Sequence, residues 1–179
     1  MNLVINIDDF NLQYISFLDL KKNNIIEGNF SKIIYSDSNV SCNGIFLHFK
    51  MILHNNYLHN EPAYKMYFVD FNSLNINISK QLLEIEDKII KCYKETYKIQ
   101  KTSFYSLKNQ LIGGVLKVHN SPGILTIPEI IKPTTPLHYI PSLSMKKLLQ
   151  MQKSYLLKIS GIWENKTSVG ITYKIIEIF

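Results

Sequence analysis

The chain has 179 residues, 46% of them hydrophobic and 12% aromatic, and a formal charge of +6. This length and apolar content suffice for one sizeable buried core, and the composition carries no sign of intrinsic disorder. No uninterrupted apolar run reaches the length of a membrane-spanning helix, and two well-separated cysteines, Cys42 and Cys92, exclude a disulfide scaffold.

The segment around Asp8 and Asp9 lacks the basic-then-apolar layout of a signal peptide. An intracellular location is therefore expected, in the cytosol or nucleus, with both thiols reduced. All 20 basic residues are lysines, since the chain contains no arginine. Lysine supplies a mobile point charge, whereas arginine supplies the planar fork that reads guanine edges. Such a surface suits phosphate attraction without sequence reading, although an AT-rich coding sequence enriches lysine as well.

In chain order, Phe30–Ser36 and Gly44–Leu53 read as strands joined by the turn residues Asp37, Ser38, Asn39, Asn43 and Gly44, which predicts a hairpin. In the second run Ile45, Leu47 and Phe49 share one face and Phe46, His48 and Lys50 the other. A polar loop is expected at Asn55–Pro62, then an aromatic strand at Tyr64–Phe71. Between Ser79 and Lys98 the period becomes helical, with Leu82, Ile85 or Glu86, Ile89, Tyr93 and Tyr97 recurring on one side. Ser79 is the expected N-cap, and Glu84 to Lys88 and Asp87 to Lys91 form pairs one turn apart. A strand is expected over Leu111–His119, with Gly113-Gly114 as a bulge. Five prolines then predict a long loop or arm over 120–144, and a short helix fits Met145–Lys153. Two strand runs, Tyr155–Trp163 and Val169–Ile178, close the chain as a hairpin around Glu164–Ser168.

One domain over 1–179 is expected, of the α+β class and mostly antiparallel β. An elaborated Greek-key barrel of the oligonucleotide-binding (OB) type, with one main helix and long loops, fits this order, as do other antiparallel sheets.

Two segments carry a family likeness. Gly28-Asn-Phe-Ser-Lys-Ile-Ile-Tyr-Ser36 leading to Asn43-Gly-Ile-Phe-Leu-His-Phe49, and Leu157-Lys-Ile-Ser-Gly-Ile-Trp-Glu164 followed by Gly170-Ile-Thr-Tyr-Lys-Ile175, resemble single-stranded DNA-binding proteins of nucleocytoplasmic large DNA viruses, related to the phage type. The resemblance implies an OB barrel and a place in viral DNA replication or recombination, in host cytoplasm or nucleus. Phage-type proteins end in an acidic tail capped by an aromatic residue. Here Tyr173–Phe179 ends in Phe179 but carries only Glu177 as an acid and reads as a strand, so no tail function is carried over.

Sequence-independent binding of a single strand needs lysines that track phosphates and aromatic faces on which bases stack. The candidate nucleic-acid-binding residues are Phe46, His48, Lys50, Lys65, Tyr67, Lys158, Trp163, Tyr173 and Lys174, with Tyr64 beside them. Each aromatic has a competing place in the core. No cofactor motif is present, and the spacing of Cys42, His48, His54 and His59 matches no zinc site. Glu86 and Lys88 lie two residues apart on the helix and so point to different sides, which removes the one nuclease-like pattern. The expected activity is non-catalytic binding of single-stranded DNA or RNA, with self-association or replication proteins as further partners. A structural or protein-interaction role is the alternative.

Overall fold

The computed structural model describes residues 4–23, 27–61, 63–119, 149 and 151–178, with backbone alone over 55–61. Within them the strands are β1 (Ile5–Asn6), β2 (Ile15–Phe17), β3 (Lys21–Lys22), β4 (Asn29–Ser36), β5 (Ser41–Asn43), β6 (Ile45–Met51), β7 (Leu53–Glu61) and β8 (Tyr64–Val69). Next come the helix α1 (Ser73–Tyr97), β9 (Thr102–Ser103), the helix α2 (Ser106–Ile112), β10 (Val115–His119), β11 (Lys153–Glu164) and β12 (Ser168–Ile178). The expected proline-rich arm at 120–144, and most of the helix expected at Met145–Lys153, lie outside the described residues.

The α+β class and the predominance of strands hold. All strands belong to one mixed sheet whose central order is β1-β6-β11-β12-β10-β8-β7, with β2, β3 and β5 added on β4 and β9 on β12. Most pairings are antiparallel, but β1 with β6, β10 with β12 and β9 with β12 run parallel. The closing hairpin is its spine: β11 pairs with β12 from Ser154↔Ile178 to Glu164↔Val169, with a bulge between Ile159 and Gly161. On its other edge β11 meets β6 over residues 153–159 and β4 over 161–164.

Three local expectations are corrected. The hairpin partner of β4 is the short β5, while β6 pairs with β11 and β1. Asp37 closes the β4–β5 turn by accepting the backbone N–H groups of Asn39 and Val40, which hold its carboxyl below the usual range. Gly44, at φ 90° with Ile159 O where a β-carbon would sit, then redirects the chain. Second, residues 55–61 of the polar stretch expected as a loop belong to strand β7, where pairing with β8 at Asn55, Asn60 and Glu61, with a register shift between Asn55 and Asn60, overrides local polarity. Third, the strand expected to begin at Leu111 is α2 followed by β10. Gly114, at φ 68°, makes the turn between them and is not a bulge.

Helix α1 starts earlier than its periodicity suggests. Asn72, not Ser79, is the N-cap, its side chain accepting from Asn75 N at 2.9 Å. The pairs Glu84–Lys88 and Asp87–Lys91 form as expected. The helix buries Leu82, Ile85, Ile89, Ile90 and Tyr93 in a core shared with Leu47, Leu116, Tyr155, Leu157 and Ile175. Each large apolar side chain so buried contributes about 1.5–3 kcal/mol. Glu86, fully buried on the same helix, accepts Leu107 N and Lys108 N and so caps α2 from a distance. Its burial raises the carboxyl pKa.

At the start of α1, Asn75 fastens the helix to the sheet. It accepts Ile52 N at 2.9 Å and donates to Ile52 O at 2.7 Å and Asp70 O at 2.6 Å. Ile52 is the single residue between β6 and β7, strands at well-separated positions in the sheet order. A side chain thus replaces the ladder bonds that the backbone loses there.

Candidate nucleic-acid interface

Alternation sorts the side chains of β6, β8, β10, β11 and β12 into a core face and an outer face. On β8, Tyr67 and Val69 are buried and Phe68 is exposed; on β10, Leu116 and Val118 are buried while Lys117 and His119 are half-buried. The register then places the outer residues in rungs. Lys158 lies opposite Phe46 on one side and Lys174 on the other. Because Val118 pairs with Ile175, the next rung position brings Lys117 beside Lys174. Three lysines therefore occupy neighbouring positions on three adjacent strands. None has a carboxylate partner among the described residues.

Aromatic groups border this row. Lys158 Nζ lies 5.3 Å from the Phe46 ring centroid and Lys117 Nζ lies 3.6 Å from that of Tyr64. Tyr64 is also 6.1 Å from His119, its cross-strand partner. Farther along β8 the outer face carries Phe68, 41% exposed, paired across to Val115, and beyond the strand Phe71, 67% exposed. Burial lowers the pKa of His119, and the charges of Lys117 and Lys174 lower it further.

The residues expected to bind fare unevenly. Lys158 and Lys174 stand side by side on the outer face, Lys50 is exposed on the same face, and His48 is half-buried with Nδ1 3.2 Å from Asn6 Oδ1. Phe46 shares that face but is only 5% exposed, which withdraws it from stacking. Tyr67 and Tyr173 are corrected, because both project toward the interior. Tyr67 donates to Glu177 and Tyr173 accepts from Gln110. Lys65 falls on the face of Tyr67 and Val69, opposite to Tyr64.

Trp163 lies apart from the lysine row, near the far end of β11. Its indole covers Gly170, where a β-carbon would meet the ring at 2.8 Å, and Phe104 lies 5.7 Å away. From Gly170 to Lys174 the strand advances roughly 13 Å at about 3.3 Å per residue. Sequence reasoning missed Phe68, Phe71, Lys117, His119 and Phe104. The alternation of β8 and β10 carried the signal for Phe68, Lys117 and His119; only the sheet order joins them to Lys174 and Lys158.

Within the described residues no group of three or more His, Cys, Asp or Glu side chains comes together as a metal site, and no helix is long and apolar enough to cross a membrane. Compared with models of known protein families, with curated proteins and with solved structures, the chain matches none.

Proposed function

We propose that this protein is a non-catalytic nucleic-acid-binding module. More particularly, it binds single-stranded DNA without reading its sequence, across the outer faces of β8, β10, β12 and β11. The observation that carries this reading is the row Lys117–Lys174–Lys158. Like charges side by side on adjacent strands repel one another, and a polyanion laid across them turns that repulsion into attraction. Tyr64, Phe68 and Phe71 supply ring faces along one flank. With lysines in place of arginine forks, the surface follows phosphates and leaves base edges unread.

The pairing order supports an OB barrel as the fold behind this surface. If β6 and β7 are one strand bent at Ile52, the sheet runs first (β7), second (β8), third (β10), fifth (β12), fourth (β11) and back to first (β6). The third and fifth strands of this order are the parallel pair. In OB folds the surface over the second and third strands receives oligonucleotides, and here those are β8 and β10. The resemblance to viral single-stranded DNA-binding proteins adds a role in replication or recombination.

The test is a fluorescence titration with oligo-dT of about thirty nucleotides and a duplex control, at low and moderate salt. Binding of the single strand that weakens steeply with salt is expected. Absence of binding at low salt would leave the second reading, a protein-interaction module, which the exposure of Phe71 and Ile112, about two-thirds each, favours.

A further inference from the structure

Away from the lysine row, a groove of about 440 Å³ lies between the last turns of α1 and the segment that carries β9 toward α2. Lys91, Lys94 and Lys98 of the helix line it, together with Gln100, Ser103 and Tyr105. The lysines recur at helical spacing, so they form one stripe. Asp87 neutralises Lys91 at 2.7 Å and accepts the Tyr105 hydroxyl at 2.9 Å, which fixes that wall. Lys94 Nζ reaches Ser103 Oγ at 3.3 Å and has no carboxylate partner among the described residues.

Lys98 is the unusual member. It ends the helix in the left-handed region, at φ 53° and ψ 41°, and is the one non-glycine residue with positive φ among those described. Glycine or asparagine suits that conformation best, so the turn itself gives no reason for a lysine. The helix dipole favours a cation in the last turn. It does not account for two lysines, neither with a carboxylate partner among the described residues, lining one open groove together with a serine, a glutamine and a tyrosine.

We propose that this groove binds the phosphate group of a nucleotide, with Lys94 and Lys98 as counter-ions, Ser103 and Gln100 as hydrogen-bond donors and the Tyr105 ring beside the base or sugar. Glu95, also on the lining, sets a limit of one net positive charge from the unpaired groups and favours a small phosphate ligand over an extended acidic one. The phosphate comes either from a free nucleotide or from the backbone of a bound strand, and the site does not depend on the reading given for the sheet face.

The experiment follows backbone amide shifts of residues 99–105 in the full chain during low-salt titrations with inorganic pyrophosphate, ATP and oligo-dT of about thirty nucleotides. The comparison protein carries Lys94→Gln and Lys98→Gly; glycine accepts the left-handed turn, so folding is retained. Saturable shifts at the groove, weakened about tenfold or more in the double variant, are expected. If ATP moves these amides and oligo-dT does not, the ligand is a free nucleotide. If oligo-dT moves them and its salt slope falls by roughly 1.4 in the double variant, the phosphate belongs to the strand. No shift with any probe, or shifts that the double variant leaves unchanged, overturns the proposal. A Lys158→Gln, Lys174→Gln protein that loses oligo-dT but keeps the ATP shifts separates failure of the sheet face from failure of the groove.

Discussion

Lys158 and Lys174 face one another across β11 and β12, two ammonium groups on a single rung with Lys117 beside them and no acid among the described residues to separate them. Directly opposed like charges cost a sheet about 0.2–1 kcal/mol per pair. Replacing both lysines with glutamine should therefore raise Tm by about 1–3 °C while weakening oligo-dT binding and lowering its salt slope by about 1.4. Calorimetry and titration on the same samples check the pair of effects. A variant that gains stability and keeps full affinity removes the row from the interface.

Phe68 and Phe71 offer ring faces to solvent and little to the core. Each alanine substitution should cost about 1–3 kcal/mol of single-strand affinity, roughly 5- to 150-fold. Phe71→Ala should leave Tm within about 2 °C of the parent. Equal affinity in parent and variants would place the bases elsewhere.

His119 gives the interface a pH dependence of defined sign. Its ring faces Lys117, Lys174 and Tyr64, and its pKa lies below 6.5 because burial and the two lysines disfavour the charged form. A bound phosphate favours that form, so binding takes up a proton and affinity should rise as pH falls from about 8 to about 5.5. In the free protein the same shift acts oppositely: the unfolded chain binds the proton first, and stability declines as pH drops below 6.5. His119→Gln should flatten both curves, and titrations at fixed salt will show it.

Asn75 is expected to be the most sensitive polar side chain of the fold. Alanine there leaves the N–H and C=O of Ile52 buried without partners, a loss of about 2–4 kcal/mol and roughly 5–15 °C in Tm. Thermal unfolding measures it directly. A change below about 2 °C would mean that water or a shifted backbone replaces the clamp.

Much of this protein follows from local patterns. Alternation in Ile45–Met51 and in the closing hairpin marks core and outer faces, because successive strand residues point to opposite sides whatever the neighbour. The helical period from Leu82 to Tyr93 marks the buried stripe of α1 for the same kind of reason. Local polarity misled over 55–61, where pairing with β8 at Asn55, Asn60 and Glu61 keeps a polar stretch in a strand. It also misled at Leu111, where Glu86 caps α2 from 21 residues away in sequence. The aromatic candidates show the limit most plainly: Tyr67 and Phe68 are adjacent and similar, yet one is buried on Glu177 and the other faces water. Nor does the spacing of Lys117, Lys158 and Lys174 along the chain bring them together. The order of strands decides that, and strand order is a property of long-range pairing, in which each ladder competes with every other and no short segment carries the answer.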